Sequence, residues 1–278
     1  MQEKEMWGKK YGLNEIVSDF ELIVLITATF IFFMYYGVVS HLASLIGFNT
    51  AYYLVTPLDN MIKYTPFWIV FYSLAELVPI ITLLIIRFKI GPDIIIFRRM
   101  VISIFILLFI NYLLYLLFPC SVIEMYGVPK EIWSHNYLER LVRLEFSTEA
   151  PWNANPSLHI GFSWIIYRFF SVYYKKPIPR ILFLAWFVGM SLGTLTLKVH
   201  IIVNVILGFL LSELLFRYVY KNKITGKFAL FLGAVNPYKR FGGYFILIII
   251  LIIGLHVYSA TLGELMIISN KQNQASPF

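Results

Sequence analysis

Two short runs hold the residues best suited to chemistry: NANPSLHIGFSW from Asn153 to Trp164, and LKVHIIVN from Leu197 to Asn204. A histidine can attack phosphorus and become phosphorylated, and a second can protonate the departing oxygen. Cations and hydrogen-bond donors beside them stabilise the charge that builds on the transferring group. His200 and His159 supply the two imidazoles, Ser157 a hydroxyl and Lys198 a cation. Such a reaction needs no metal. One cysteine, Cys120, and five histidines leave little for a metal cage, so neither metal nor cofactor is expected.

The elements that must position these groups follow from composition. Of 278 residues, 59% are hydrophobic, 18% aromatic and only 14% charged, which excludes an ordinary water-soluble globule. A helical bilayer crossing needs about 20 apolar residues. Seven runs approach that length: Leu22 to Val39, Pro66 to Ile86, Met100 to Phe118, Leu158 to Tyr174, Ile181 to Leu197, Ile201 to Tyr218 and Tyr244 to Leu262. The expected fold is therefore all-α and polytopic. The expected organisation is a cytoplasmic segment 1–21, one transmembrane domain 22–262 with its active-site core at 66–216, and a polar tail 263–278. Residues 1–21 lack a small-residue cleavage site, so the first helix is expected to remain as an anchor.

Charge gives the orientation. Sixteen Lys and Arg fall on the side of the N-terminus, among them Lys9, Arg98, Lys175, Arg180 and Lys221, against six on the other side. Lys and Arg stay preferentially cytoplasmic, which predicts a cytoplasmic N-terminus and puts both histidine runs at the opposite, extracytoplasmic surface. The net charge of +8 then reflects topology; no basic run with interleaved aromatics supports a nucleic-acid partner. Two outer segments are long, Ser40 to Thr65 and Pro119 to Ser157, and Lys130 to Arg143 in the second is expected to form an interfacial helix around Trp133 and Tyr137.

Locally, Asn155 can cap the fourth helix, Pro156 suits its first position, and Ser157 to His159 lie in its first turn. Unpaired N–H groups and the positive dipole end favour a bound phosphate there. If the sixth helix begins at Lys198, then Asn204 lies one turn below His200 on the same face. A capped membrane helix with an interfacial histidine explains Pro-Ser-x-His alone about as well.

Pro156-Ser157-Leu158-His159, followed by Lys198-Val199-His200 and a polar residue four further on, resembles the type 2 phosphatidic acid phosphatase superfamily. That family includes lipid phosphatases, polyprenyl-diphosphate phosphatases and head-group-transferring lipid synthases. The resemblance covers roughly 66–216, and implies a six-helix core to which the seventh helix is an addition. It implies His200 as nucleophile, His159 as general acid and Ser157 as a phosphate-holding residue. Two features depart from the pattern. Asn204 stands where an Asp normally supports the second imidazole, and the usual Lys followed by Arg-Pro is missing. Lys130, Arg140, Arg143 and Lys198 are the outer cations that can replace it, although the first three read equally as headgroup-facing charges.

The reading is therefore phosphoryl transfer on a membrane lipid carrying a phosphate head group, to water or to an alcohol, with oligomeric state open. The alternative is a lipid-binding or lipid-translocating relative that lost turnover, which Asn204 would permit. A transporter should show discontinuous helices or paired mid-membrane acids, and the sequence signals neither. Arg168, Glu76 and Glu213 lie too deep for the chemistry; Arg168 is expected to pair with one of the two acids.

Overall fold

The computed structural model describes residues 35, 37–46, 48–75, 77–85, 94–127, 136–148, 152–221, 246 and 248–254. In chain order they form α1 (37–44), α2 (Ala51–Leu54), α3 (Pro57–Met61), a 3-10 turn (Pro66–Trp68), α4 (Ile69–Tyr72), α5 (Leu77–Ile85), α6 (Ile94–Leu117), α7 (Val122–Tyr126), α8 (Tyr137–Thr148), α9 (Leu158–Tyr173), α10 (Pro177–Thr196) and α11 (Ile202–Lys221). Among the described residues there is no strand, only an isolated bridge between Cys120 and Asn153. The chain divides into two compact units, Met34–Ala229 and Met1–Phe33 with Leu230–Phe278. In the second, residues 246 and 248–254 are helical.

Among the described residues, four stretches are long and apolar enough to cross a membrane: Pro66–Ile85, Arg99–Leu117, Pro177–Thr196 and Ile202–Tyr220. The apolar part of α9, Leu158–Val172, is shorter. The protein is thus an integral membrane protein built of helices. Most of the first expected span and the flanks of the seventh lie outside the described residues, as do Glu76, Lys130 and Trp133.

Two local expectations change. The span beginning at Pro66 is interrupted at 73–75. Pro79 in α5 offers no N–H to the Ala75 carbonyl one turn earlier and crowds it, while Ser73 turns its hydroxyl back on Ile69 O at 2.8 Å. The interfacial helix expected over 130–143 is helical from Tyr137 and runs on to Thr148, with Asn136 ahead of it accepting at Oδ1 from Leu138 N–H at 3.0 Å; residues 130–135 lie outside the described residues.

The bundle surrounds α9, which packs on α5, α6, α10 and α11. Large apolar side chains such as Phe109, Ile181, Leu182, Leu210 and Leu214 face outward, while Leu107, Phe169 and Met190 are buried. With apolar groups on both sides, close packing holds the helices together. A Cβ on Gly189 would lie 2.7 Å from the Phe71 ring, and one on Gly193 3.1 Å from Trp68 O, so this GxxxG pair admits the α4 region. Away from the histidines, Glu213 accepts from Arg168 Nη1 at 2.7 Å, Arg217 Nε at 2.7 Å and Trp164 Nε1 at 2.8 Å. Arg168 therefore ties α9 to α11 through Glu213, one of its two expected partners.

Candidate functional site

Chain direction brings the two histidine runs to one end of the bundle. Helix α9 leaves the site at Leu158, α10 returns to it at Thr196, and α11 leaves again at Ile202. The imidazoles of His159 and His200 have ring centroids 6.2 Å apart and meet edge to face. His159 is half-buried against Tyr72, at 5.2 Å between rings.

The run before α9 is fixed by bonds to other elements. Asn49 Oδ1 accepts from Ala51 N and Ser121 N, at 3.0 and 2.9 Å. The 118–121 loop then holds Ala154, whose N–H donates to Cys120 O at 3.0 Å. Tyr115 Oη, from α6, donates to Pro156 O at 2.9 Å, and the Asn155–Pro156 peptide is cis. Ser157 N–H donates to Asn204 O at 3.0 Å, which joins the start of α9 to α11. Contrary to expectation, neither Asn155 caps α9 nor is Pro156 its first residue. Ser157 occupies the N-cap position with extended backbone, and its hydroxyl makes no capping bond.

That hydroxyl is used elsewhere. Ser157 Oγ lies 3.1 Å from His200 Nε2, and His200 Nδ1 lies 3.0 Å from Ala154 O. A carbonyl only accepts, so Nδ1 carries the proton, Nε2 keeps its lone pair, and Ser157 donates to it. His200 is only 5% exposed. Burial, with the neighbouring His159, holds its pKa down at about 3, so the ring is neutral at physiological pH. The folded value lies below the unfolded one of about 6.5, so the unfolded chain binds the proton first as pH falls. Stability is expected to drop between about 6.5 and about 3. Melting temperatures across that window should fall less steeply for His200→Asn than for the parent.

His200 stands outside α11, which begins two residues later. Helical i to i+4 alignment therefore does not apply between His200 and Asn204. Asn204 is fully buried, its Nδ2 points to Cys120 Sγ at 3.8 Å, and its Oδ1 has no hydrogen-bond partner. The imidazole is braced by the Ala154 carbonyl instead. The Cys120 thiol is pushed up to about 11, chiefly by burial, and stays protonated.

The candidate cations separate. Lys198, in the turn that ends at His200, donates from Nζ to Asp59 O at 2.8 Å and lies 4.8 Å from the Tyr126 ring centroid. Burial lowers its pKa and the Asp59 charge opposes this. Arg140 is exposed and Arg143 half-buried on α8. That helix joins the site's wall through Val142, which packs with Ile69, Tyr72, Leu197 and Val199. Lys130 lies outside the described residues.

Three contributors escaped the sequence reading. Ala154 acts through its backbone and leaves no residue-type signal. Tyr115 is one aromatic among many in its helix. Asp59 did carry a local signal, Thr-Pro-Leu-Asp, in which Thr56 and Asp59 cap each other across α3.

The arrangement offers a neutral, oriented imidazole, a hydroxyl on its free nitrogen and a second imidazole one side chain away, at a helix start. These groups can receive an anion and pass a phosphoryl group. A family model described as the PAP2 superfamily matches residues 37–217. No curated protein and no solved structure matches the chain.

Proposed function

The chain belongs to the PAP2 superfamily, and from that premise we propose that it transfers the phosphoryl group of a membrane lipid through a phosphohistidine. The substrate is a lipid phosphate, diphosphate or phosphodiester. One observation carries the reading: His200 Nε2 faces Ser157 Oγ at 3.1 Å, with the His159 ring 6.2 Å away. Nε2 attacks phosphorus, and the leaving oxygen takes a proton from His159. Ser157 releases Nε2 and donates to a phosphate oxygen, while Lys198 and the α8 arginines supply positive charge. Water or an alcohol, deprotonated by His159, then attacks phosphorus and frees His200.

In this reading the site opens at the extracytoplasmic leaflet. The Lys175–Lys176 turn, Arg217 and Lys221 belong to the far ends of α9, α10 and α11, which fits a cytoplasmic location for that end. At 16 residues, α9 is about 24 Å long, less than the ~30 Å hydrocarbon core. This favours a histidine pair recessed to the depth at which a lipid presents its phosphate, with the acyl chains entering from the bilayer.

The test is phosphate release, or head-group transfer to an added alcohol, by purified protein in mixed micelles with phosphatidic acid, a polyprenyl diphosphate or a phosphoinositol lipid. Turnover of at least one, unchanged by chelator and stopped by vanadate, is expected; failure with all of them contradicts the reading. Asn204 favours the rival, a lipid-binding relative without turnover. Because Asn204 sits in a fully buried place and makes no bond to His200, Asn204→Asp is expected to lower the melting temperature and leave turnover no higher, since an unpaired buried carboxylate is costly. A large gain in turnover would show that the parent is impaired.

A further inference from the structure

Asp59 lies in none of the segments that carry the histidines, yet it is 2% exposed and all its oxygens are engaged. Its Oδ2 accepts from Thr56 N at 2.8 Å and Thr56 Oγ1 at 2.6 Å, which anchors it within α3. Its Oδ1 accepts from Ile202 N–H at 2.7 Å, and its backbone carbonyl accepts from Lys198 Nζ at 2.8 Å. Position 202 is the first residue of α11, and the preceding Ile201 has no side-chain oxygen with which to cap it. Asp59 thus supplies in trans the acceptor and the negative charge that a helix start requires.

The other grip is at Lys198, which has φ 62°, a left-handed conformation uncommon for a residue with a side chain. Its ammonium bonds to Asp59 O and rests near the Tyr126 ring, holding the reversal between α10 and α11. Thr194 O accepts from the N–H groups of both Val199 and His200. His200 is therefore held between two attachment points, residues 198 and 202, which meet on one aspartate.

We infer that Asp59 is a positioning residue: it clamps the chain on both sides of His200 and so sets the imidazole between Ala154 O and Ser157 Oγ. That positioning serves catalysis rests on the phosphoryl-transfer reading; the clamp itself does not.

Two measurements separate the claims. The first is carbethoxylation of His200, followed by mass spectrometry, with His159 as internal reference. Asp59→Ala is expected to raise the His200 rate about tenfold while His159 stays within about twofold, as local opening requires. Asp59→Asn retains an oxygen for Ile202 N–H and should keep most of the protection. Ile202→Pro deletes the donor while suiting a first helical position; it should reproduce the Asp59→Ala result even if that variant fails to fold. The second measurement is turnover per folded molecule, where Asp59→Ala should lower kcat about thirtyfold with KM changed less than about threefold. Unchanged protection of His200 in both Asp59→Ala and Ile202→Pro, or equal loosening of the two histidines, overturns the clamp. Absence of turnover in the parent overturns the phosphoryl-transfer reading and leaves the protection result standing.

Discussion

Replacing His200 by Ala is expected to lower lipid-phosphate turnover by about three decades or more without lowering the folded fraction at neutral pH. Groups that act as one unit in a covalent mechanism commonly show losses of that order when one is removed. The ring is buried and neutral, and its one lone pair is aimed along the Ser157 bond. Nothing else within that bond network is a nucleophile of comparable strength at neutral pH. His159→Ala should cost less, about two decades, because it removes proton transfer and leaves attack intact. Its deficit should shrink for a phosphate ester with an acidic phenol as leaving group, whereas the His200→Ala deficit should not. Initial rates of phosphate release for both variants and both leaving groups check this; equal deficits on the two substrates would exclude His159 as the acid.

The second large effect is expected at Gly208, which does no chemistry. A Cβ there would overlap Ser157 O and lie 3.3 Å from Ser157 N. These are backbone atoms, which no rotamer change can move away. Gly208→Ala must push the start of α9 from α11, stretching the bond from Ser157 N–H to Asn204 O and shifting the hydroxyl that faces His200. Overpacking of this kind costs about 1–3 kcal/mol, and a displacement near 1 Å at a reacting group can cost about a hundredfold in rate. Gly161→Ala is the control: its nearest side-chain neighbour is Leu107 Cδ2 at 3.3 Å, which can yield. Melting temperature and kcat should both fall much further for Gly208→Ala than for Gly161→Ala. Similar losses in the two variants would mean that the α9–α11 contact does not set the site.

What the sequence made legible were features with a period or a spacing. Apolar runs of bilayer length located the described spans, and their alternation brought His159 and His200 to one end. The i to i+4 repeat of small residues marked Gly189 and Gly193 as a close approach, and a lone deep Arg168 called for an acid that proved to be Glu213. What stayed hidden was non-local. The helix starts shifted by two to four residues because the groups that pair with them lie far away in sequence: Asn204 O for Ser157, and Asp59 for Ile202. Reading α11 from Lys198 put Asn204 beneath the imidazole, although an aspartate some 140 residues earlier starts the helix only at Ile202. The brace on Nδ1 is a main-chain carbonyl, which no residue type announces. Conversely, Asp59 could have been found, since a Thr-Pro-Leu-Asp capping signature at the end of an outer segment identifies a fixed carboxylate, though not what it fixes.

The central claim is tested most directly by isolating the phosphoenzyme. Protein turning over a lipid labelled in its transferable phosphate is quenched in alkali, where phosphohistidine survives, digested and mapped. The account predicts label on the peptide containing residue 200, attached to the imidazole, and none in His200→Ala. Label on Ser157 or His159, or sustained turnover with no labelled histidine at any time point, would contradict it.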